Sequence, residues 1–509
     1  MIWVLVAVCL MAAVPYSLRW LRVAQREHYL PGSVSPFVGR WWLSGTVNKV
    51  LWGLVTVIVV AWIAFGGRDS SDGGLGLVWP GILAAVVLAI SPVGLSVRGR
   101  TSPLAWTPRM KRLAFVTGLL FMTLLMLGIV IRFPHLIFLG LWFLPLIVDL
   151  ALLILRPVEA RLGRKWVDKA SRKLTAIGPE VVAITGSYGK TTTKGYVAHL
   201  LSGSKRVVAS PASFNNQMGL ARAINENLAP GTQVFVAEMG TYGKGEIADL
   251  CRWVTPRVAA MVSIGPVHLE RFKSEARIAE AKAEILDQAE VGVICVDHPL
   301  LADLAAERAS SMPIIEVGTR DRGRVRVVEG RLLIDDAPVA EVSANTYPEN
   351  LAVAAGIALA MGVDMAAIRE RMATLPTPEH RLTASTSADS GFDIIDDTFN
   401  SNPAGARRAL EKLLETGSGQ KALVTPGMVE LGPIQNEENT RFAADAAASL
   451  DHLVIVGRTN RPALQRGAAN GRASVTVVDT REQAVAWVRS NLGPGDTVLY
   501  ENDLPDHYP

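Results

Sequence analysis

Long apolar segments before residue 156 limit what this chain can fold into. Five such segments can be marked, at roughly 1–18, 48–66, 75–97, 113–131 and 134–155. Most of them reach the roughly 18–20 residues that a membrane-spanning helix needs. Five in series would be hard to bury inside a water-soluble domain. The sequence therefore predicts an α-helical membrane domain over residues 1–158, with about five transmembrane helices.

Basic residues are concentrated in alternate loops between these segments. Loop 19–49 carries five Lys or Arg side chains against one acid, Glu27, and loop 98–112 carries five with no acid. Such clusters remain on the cytoplasmic side of a membrane. We therefore expect a multi-pass protein of the cell membrane, with its N-terminus outside and its catalytic domains in the cytoplasm.

The rest of the chain has the pattern of an α/β protein. From about residue 180, short Val- and Ile-rich segments alternate with helical ones, which is typical of a mostly parallel sheet. This pattern predicts two α/β units, a central one over 170–380 and a smaller Rossmann-like one over 381–509, and the glycine loop described next indicates that the central unit is a P-loop ATPase domain. The net charge is only +4 and no basic run occurs, so no nucleic-acid partner is expected. The three cysteines are scattered, which favours neither a disulfide framework nor a metal site.

The stretch VVAITGSYGKTTTK (181–194) carries the strongest chemical signal. It reads as a strand, a glycine turn and the start of a helix, an arrangement that binds phosphate through backbone N–H groups. The loop is shorter than the ordinary P-loop. Lys190 would neutralise the β- and γ-phosphates, and Thr191 or Thr192 would ligate Mg²⁺. The residues predicted to contact nucleotide here are Gly186, Ser187, Tyr188, Gly189, Lys190, Thr191 and Thr192.

Further motifs follow in order along the chain. They are SFNNQMGL (213–220), AEMGTYGKGEI (237–247), SIGPVHLERF (263–272), AKAEIL (281–286), DDTFNSNP (396–403) and PGMVELG (426–432). Together with the phosphate loop they resemble the Mur ligase family, and most closely its D-Ala-D-Ala-adding branch. The resemblance covers roughly 178–500. It implies an enzyme that uses ATP to join a carboxylate to an amine through an acyl phosphate.

The resemblance also implies how negative charge would be neutralised. A carboxylate must approach a triphosphate, and two Mg²⁺ ions can offset that repulsion. The matching metal ligands are Thr191, Glu238, His268 and Lys282, the last as a carbamate. The residues implied in catalysis are Lys190, His268, Lys282 and Arg381.

The resemblance implies nucleotide contacts from the second half of the chain as well. Arg381 matches the linker arginine, and Asp397, Asn400 and Asn402 match the loop through which the C-terminal domain meets ATP. On the adenine side only Asn350 of the family pattern is present. The family's uridine-nucleotide-binding domain has no counterpart, because apolar segments stand in its place.

These observations predict a membrane-anchored ATP-dependent amide ligase of cell-envelope peptide synthesis. Its expected amine substrate is an amino acid or peptide, and its carboxylate substrate is lipid-linked, polymeric or otherwise held at the membrane. A poly-γ-glutamate-type synthetase and a non-catalytic nucleotide-binding scaffold stay open as alternatives. An acidic segment with Glu501, Asp503 and Asp506 stands where the family is basic, and we expect it to select a cationic amine.

Overall fold

The apolar first third of the chain folds into helices that pack around one core. Tryptophans from three of these helices meet in it, with ring centroids 4.8 Å apart for Trp42 and Trp52 and 5.5 Å apart for Trp52 and Trp142. The helices are α1 (Ile2–Arg26), α2 (Ser35–Trp42), α3 (Thr46–Phe65), α4 (Trp79–Ile90), α5 (Pro108–Val130), α6 (Pro134–Trp142) and α7 (Leu144–Ile177). This computed structural model describes residues 2–65, 78–99, 103–211, 214–343, 346–376, 383–386, 391–398, 402–505 and 507–509.

The number of transmembrane helices, about five by the sequence, stays a prediction, for which the described helices offer three or four candidates by length and composition. Among the described residues, α1, α3 and α5 are long and apolar enough to cross a bilayer, and α6 with α7 forms a fourth candidate bent by 71°. Helix α4 has only 12 residues. It is therefore about 18 Å long, which is too short for a hydrocarbon core of about 30 Å.

Arginines of α1 hold the end of the short helix α4. The Arg19 guanidinium donates to the carbonyl oxygen of Ala89 at 2.7 Å and to that of Leu95 at 3.1 Å. Arg22 donates to the carbonyl of Ser96 at 2.7 Å. The last carbonyls of a helix lack partners within the helix, and Arg19 satisfies that of Ala89. The carbonyls of Leu95 and Ser96 belong to the segment that follows α4, so the two arginines also hold this segment against α1.

Helix α7 crosses the predicted boundary between the membrane domain and the central domain. It runs unbroken for 34 residues and ends at Gly178, which has the left-handed conformation (φ 65°) that glycine adopts at helix ends. The first central strand begins at Glu180. The two parts of the chain are thus joined by a continuous helix.

The central part contains a nine-stranded sheet in the order β2-β3-β1-β4-β5-β6-β7-β8-β9, which is parallel from β2 to β7. Both faces are covered by helices, as the alternating pattern predicts. The strands are β1 (Glu180–Thr185), β2 (Val207–Ala209), β3 (Val234–Glu238), β4 (Val258–Met261), β5 (Val291–Cys295), β6 (Ile314–Gly318), β7 (Val325–Val328), β8 (Arg331–Ile334) and β9 (Ala337–Glu341). The helices are α8 (Lys190–Leu201), α9 (Gln217–Asn227), α10 (Glu246–Cys251), α11 (Leu269–Phe272), α12 (Glu275–Ala283), α13 (Pro299–Arg308), α14 (Pro348–Ala360) and α15 (Met365–Met372).

The C-terminal part contains a six-stranded sheet in the order β10-β11-β15-β12-β13-β14, parallel except for β10. The mostly parallel architecture predicted for both α/β units is confirmed. The strands are β10 (Thr383–Thr386), β11 (Asp393–Asp397), β12 (Lys421–Thr425), β13 (His452–Val456), β14 (Ser474–Val478) and β15 (Thr497–Glu501). The helices are α16 (Pro403–Glu415), α17 (Gln435–Ser449), α18 (Arg461–Ala468) and α19 (Arg481–Asn491).

Candidate active site

The glycine loop after β1 is held tightly against the end of β4. The backbone N–H of Ser187 donates to the carbonyl of Ser263 at 2.8 Å, and that of Tyr188 donates to the Ser263 hydroxyl at 2.8 Å. Gly189 has φ 76°, and a Cβ there would collide with Oδ1 of Asn350. Only glycine satisfies both conditions at this turn, which directs the N-terminus of α8 into the cleft.

Two lysines converge on this loop. Nζ of Lys190 donates to the carbonyl oxygen of Gly186 at 2.8 Å, and Nζ of Lys282, from α12, donates to the same oxygen at 3.0 Å. Lys282 is buried. Burial, together with the positive charge of Lys190, holds the pKa of Lys282 well below its usual value. Both effects favour the neutral amine form of the Lys282 side chain.

Glu238 ends β3 and is buried among hydrogen-bond donors. Its Oε2 accepts from the Thr191 hydroxyl at 3.0 Å and from Nζ of Lys194 at 2.9 Å, and its Oε1 accepts from Nδ2 of Asn215 at 3.1 Å. Lys194 is buried as well. The result is a buried ion pair directly beneath the phosphate loop.

His268 lies where the central and C-terminal domains meet. Its Nδ1 is hydrogen bonded to Oε2 of Glu430, in the loop after β12. Burial raises the pKa of Glu430, but the bond to His268 and the charges of Arg271 and Arg40 outweigh that effect and lower it. Glu430 is therefore a carboxylate that orients the imidazole from the opposite domain.

Two cavities lie in the cleft beside the glycine loop. The phosphate cavity, of about 530 Å³, contains the glycine loop, Lys190, Glu238, His268 and Lys282 in its walls. The base-side cavity, of about 300 Å³, adjoins it through Tyr188, Gly189 and Asn402. Its other walls include Tyr347, Asn350, Asp397 and Arg408.

Glu27 and its neighbours, from the N-terminal helical domain, complete the wall of the phosphate cavity. Oε2 of Glu27, just after α1, accepts from Nη2 of Arg271 at 3.0 Å, and its Oε1 lies 3.0 Å from Nε2 of His507. Arg40 of α2 donates through Nη2 to both carboxylate oxygens of Glu270, at 2.7 and 2.8 Å. All three domains therefore meet within a few residues of His268.

The predicted site residues fall into three groups. Arg381 and Asn400 lie outside the described residues. Thr192 is buried and is not among the residues that line the phosphate cavity. The others lie on the walls of one of the two cavities: Gly186, Ser187, Tyr188, Gly189, Lys190, Thr191, Glu238, His268, Lys282, Asn350, Asp397 and Asn402.

The acidic segment near the end of the chain contains two described carboxylates, Glu501 and Asp503. The Glu501 side chain is buried and accepts from the Thr425 hydroxyl, and Asp503 forms an ion pair with Arg481 at 2.6 Å. Asp506 lies outside the described residues. Glu501 is thus engaged within the C-terminal domain, whereas Asp503 also lines the phosphate cavity, so the selection of a cationic amine stays a prediction that concerns Asp503.

The donors around the phosphate loop fit one Mg²⁺ ion. Thr191 and Glu238 present a hydroxyl and a carboxylate side by side, and such oxygen ligands suit Mg²⁺. Among the described residues, no group of three or more His, Cys, Asp or Glu side chains is placed to hold a metal. Mg²⁺ usually combines one or two carboxylates with water and substrate phosphates, so two protein ligands are compatible with it.

The fold and the site define a class of protein, a nucleotide-dependent ligase in which a glycine-loop domain and a Rossmann-like domain close over a shared cleft. Two family models match, the Mur ligase middle domain over 184–332 and the Mur ligase glutamate ligase domain over 380–500. The chain belongs to the Mur ligase family, whose members are ATP-dependent ligases that form amide bonds and use Mg²⁺.

Individual relatives agree with this assignment. The UDP-N-acetylmuramoyl-tripeptide–D-alanyl-D-alanine ligase of Mycobacterium leprae is 29% identical over 380 residues, which cover 66% of this chain and 73% of the relative. The crystal structure of MurF ligase from Thermotoga maritima in complex with ADP matches with a TM-score of 0.57 and 26% identity, covering 67% and 80% of the two chains. MurF from Acinetobacter baumannii, at 24% identity and a TM-score of 0.58, shares the fold and covers 67% and 77%.

Proposed function

We propose that this protein is a membrane-anchored ligase that forms an amide between a membrane-held peptide carboxylate and an amino-acid or dipeptide amine. The carrying observation is that Glu27 and Arg40 of the membrane domain bind Arg271 and Glu270 beside the catalytic His268. A domain that served only as an anchor would not need to form part of the active-site wall. Relatives act, by their names, on a nucleotide-linked muramoyl tripeptide and D-alanyl-D-alanine.

The surface of the helical domain supports its placement in a bilayer. Large apolar side chains on α3 and α5 are exposed, among them Val57, Ile63, Phe115 and Val130. An apolar surface of this extent indicates contact with lipid or another protein. Several loop cations are engaged within the protein, since Arg19 donates to the end of α4, Arg22 donates to the segment after α4, and Arg112 pairs with Glu159 at 2.6 Å. The exposed cations left to meet anionic headgroups include Lys49, Arg98 and Lys111.

The chemistry begins with attack of the substrate carboxylate on the γ-phosphorus of ATP, so that the bond from this phosphorus to the bridging oxygen breaks, ADP leaves and an acyl phosphate forms. The N-terminus of α8 and Lys190 would hold the phosphates, and Thr191 and Glu238 would hold Mg²⁺. Bound Mg²⁺ supplies positive charge that offsets the repulsion between carboxylate and triphosphate. The acyl phosphate then reacts with the amine, so that the C–N bond forms and inorganic phosphate leaves.

Lys282 would act as a carbamate in this site. A neutral amine can add to the carbon of CO₂ with release of one proton, and the lowered pKa of Lys282 keeps the amine neutral. The product is a negative group close to Lys190. The carbamate would form an ion pair with the Lys190 ammonium and would provide oxygen atoms for a second Mg²⁺.

The experiment compares carboxylate substrates with full-length protein in lipid nanodiscs. ATP, Mg²⁺ and D-alanyl-D-alanine are supplied with a lipid-linked muramoyl tripeptide, with the UDP-linked form or with polyglutamate, and ADP release and product mass are measured. The proposal expects an amide product from the lipid-linked tripeptide, at a kcat/KM above that of the UDP-linked one. Equal or higher kcat/KM for the UDP-linked substrate would contradict membrane-held substrate use, and a polyglutamate product would favour the polymer-type alternative.

A further inference from the structure

The membrane domain and the catalytic loop enclose a second space, which we call the α2 cavity. It has a volume of about 300 Å³. One wall is the segment from Glu27 to Arg40, and the opposite wall is the loop from His268 to Lys273. Its remaining walls are Glu430 and Tyr508. A volume of 300 Å³ is at the small end of the range for ligand pockets, enough for a short peptide.

The α2 cavity continues the phosphate cavity. The two share the side chains of Glu27, His268, Arg271, Glu430 and Tyr508. A substrate whose reacting carboxylate lies beside His268 can therefore extend under α2 without leaving the protein. The side of the cleft that holds Lys190 is left for the phosphates.

We propose that the α2 cavity binds the peptide portion of the carboxylate substrate, with Arg40 as a specificity-determining residue contributed by the membrane domain. This inference rests on the function proposed above. It assigns to α2 and its preceding loop a contact with substrate, in addition to any contact with lipid.

The charged side chains in the walls of the α2 cavity indicate which class of ligand it can bind. Its walls carry three cations, Arg40, Arg271 and Lys273, and three carboxylates, those of Glu27, Glu270 and Glu430. A diphosphate or an anionic lipid headgroup would lie next to three like charges. An alkyl chain would exclude water from these charged side chains without offering hydrogen bonds in place of those to water. A peptide that bears both carboxylate and ammonium groups complements such a mixed surface.

Arg40 is held in an orientation suited to a further contact. Its guanidinium lies 4.7 Å from the ring centroid of Phe37 and 5.6 Å from that of Tyr508. Both bonds to Glu270 come from Nη2 alone. An arginine has five N–H donors, so Glu270 and a hydrogen bond to Tyr508 do not use all the donors of Arg40. The Arg40 side chain keeps 29% of its surface exposed at the edge of the cavity.

The test uses full-length protein in nanodiscs and the muramoyl tripeptide, without UDP or lipid, as the probe. Arg40→Gln is expected to raise the KM for this tripeptide by about tenfold or more, with kcat and the KM for ATP within about twofold of wild type. Lys273→Gln is a second test variant, and because Lys273 is exposed the substitution carries less risk to folding. It is also expected to raise the KM for the tripeptide. Unchanged tripeptide KM in both variants would overturn the proposal.

A charge swap distinguishes a role of Arg40 in binding substrate from a role that only joins the two domains. Arg40→Glu combined with Glu270→Arg keeps an ion pair between the domains but moves each charge to the opposite wall. The proposal expects the tripeptide KM to stay raised in the swapped protein, whereas recovery of wild-type KM would show that the pair only joins the domains. The matched control is the same swap at Arg324 and Asp335, an exposed pair at 2.9 Å between β7 and β8, which should leave all parameters unchanged.

Wild-type protein distinguishes this inference from the proposed function. If wild type forms no amide from any peptide carboxylate, the proposed function fails and the inference fails with it. If wild type ligates the tripeptide while the Arg40 and Lys273 variants match it in KM, only the inference fails.

Discussion

Lys190 and Lys282 donate to one and the same acceptor, the carbonyl oxygen of Gly186, at 2.8 and 3.0 Å. Two ammonium groups at such a site would repel each other in a region with little water. Burial and the charge of Lys190 lower the pKa of Lys282, which favours its neutral form. The neutral amine is the form that the proposed reaction with CO₂ requires.

The first prediction concerns Lys282→Met. Ligation should fall by at least about 100-fold, because a group that stabilises charge in the transition state is removed. Stability should not fall, because methionine removes a buried amine whose protonation is costly. ADP release and Tm are the two measurements. Near-normal turnover in this variant would show that no carbamate is needed, and partial rescue by short carboxylates would support one.

The pH dependence of the free energy of unfolding gives an independent test of the lowered pKa of Lys282. Below its usual pKa of about 10.4, the unfolded chain binds a proton at this lysine, whereas the folded chain does not until its own lower pKa is reached. Stability in the wild type therefore rises with pH between these two pKa values. Denaturant titrations of wild type and Lys282→Met should show a steeper rise for wild type, and parallel curves would contradict the lowered pKa.

The second prediction concerns the buried pair of Glu238 and Lys194. Glu238→Ala should destabilise the protein by about 3–5 kcal/mol, because the Lys194 ammonium is left buried without its carboxylate. Adding Lys194→Met should restore most of that stability but not the activity. Denaturant unfolding and the Mg²⁺ dependence of ADP release measure the two effects. A double variant that recovers activity would remove Glu238 from the set of proposed metal ligands.

The third prediction concerns the bond between His268 and Glu430. Glu430→Gln keeps the size of the side chain but loses the charge that orients the imidazole. Loss of such a supporting partner typically costs about 10–100-fold in activity, so we expect kcat to fall in that range while the KM for ATP stays close to wild type. Steady-state kinetics at saturating amine check this. Glu437→Gln, an exposed change on α17, is the control.

The fourth prediction concerns His507 and the docking of segment 507–509. Burial lowers the pKa of His507, aided by the charges of Arg26 and Arg22, and the opposing effect of Glu27 is smaller. The docked segment therefore disfavours the protonated imidazole, and docking should weaken as pH falls below about 6.5, the ordinary pKa of histidine. Hydrogen exchange across pH 5–8 should show loss of protection near Trp41, whose indole N–H donates to the His507 carbonyl at 2.8 Å. His507→Asn should abolish the pH dependence, and unchanged exchange across this range in wild type would contradict the prediction.

The sequence predicted the parts of this protein whose signals are local. The alternation of strands and helices indicated both parallel sheets, and the glycine loop indicated where phosphate binds. The length of α4 was overestimated because apolar residues continue past Ile90, where the chain leaves the helix at Ser91. Hydropathy reports the solvent a segment prefers and carries no information on where its helix ends.

Long-range partners could not be read from the sequence. Lys194 stands in the quoted threonine-rich segment, yet its pairing with Glu238 depends on how β1 and β3 lie side by side. Glu27 appeared only as the single acid in a basic loop, and its contact with Arg271 joins residues 244 positions apart. A single acid in a basic loop is a weak sequence signal of a buried contact. In this protein that acid, Glu27, lies where three domains meet.

The unbroken helix α7 has a kinetic consequence. Its polar part, residues 156–177, extends for about 33 Å and passes directly into β1, with no flexible tether. If α1, α3 and α5 lie in a bilayer, as proposed above, this short connection limits the range of heights that the catalytic cleft can take above the lipid surface. Encounters with a lipid-linked substrate would then occur by lateral diffusion in two dimensions. Turnover should follow the mole fraction of substrate in the bilayer, so diluting that substrate with inert phospholipid at constant bulk concentration should slow the reaction.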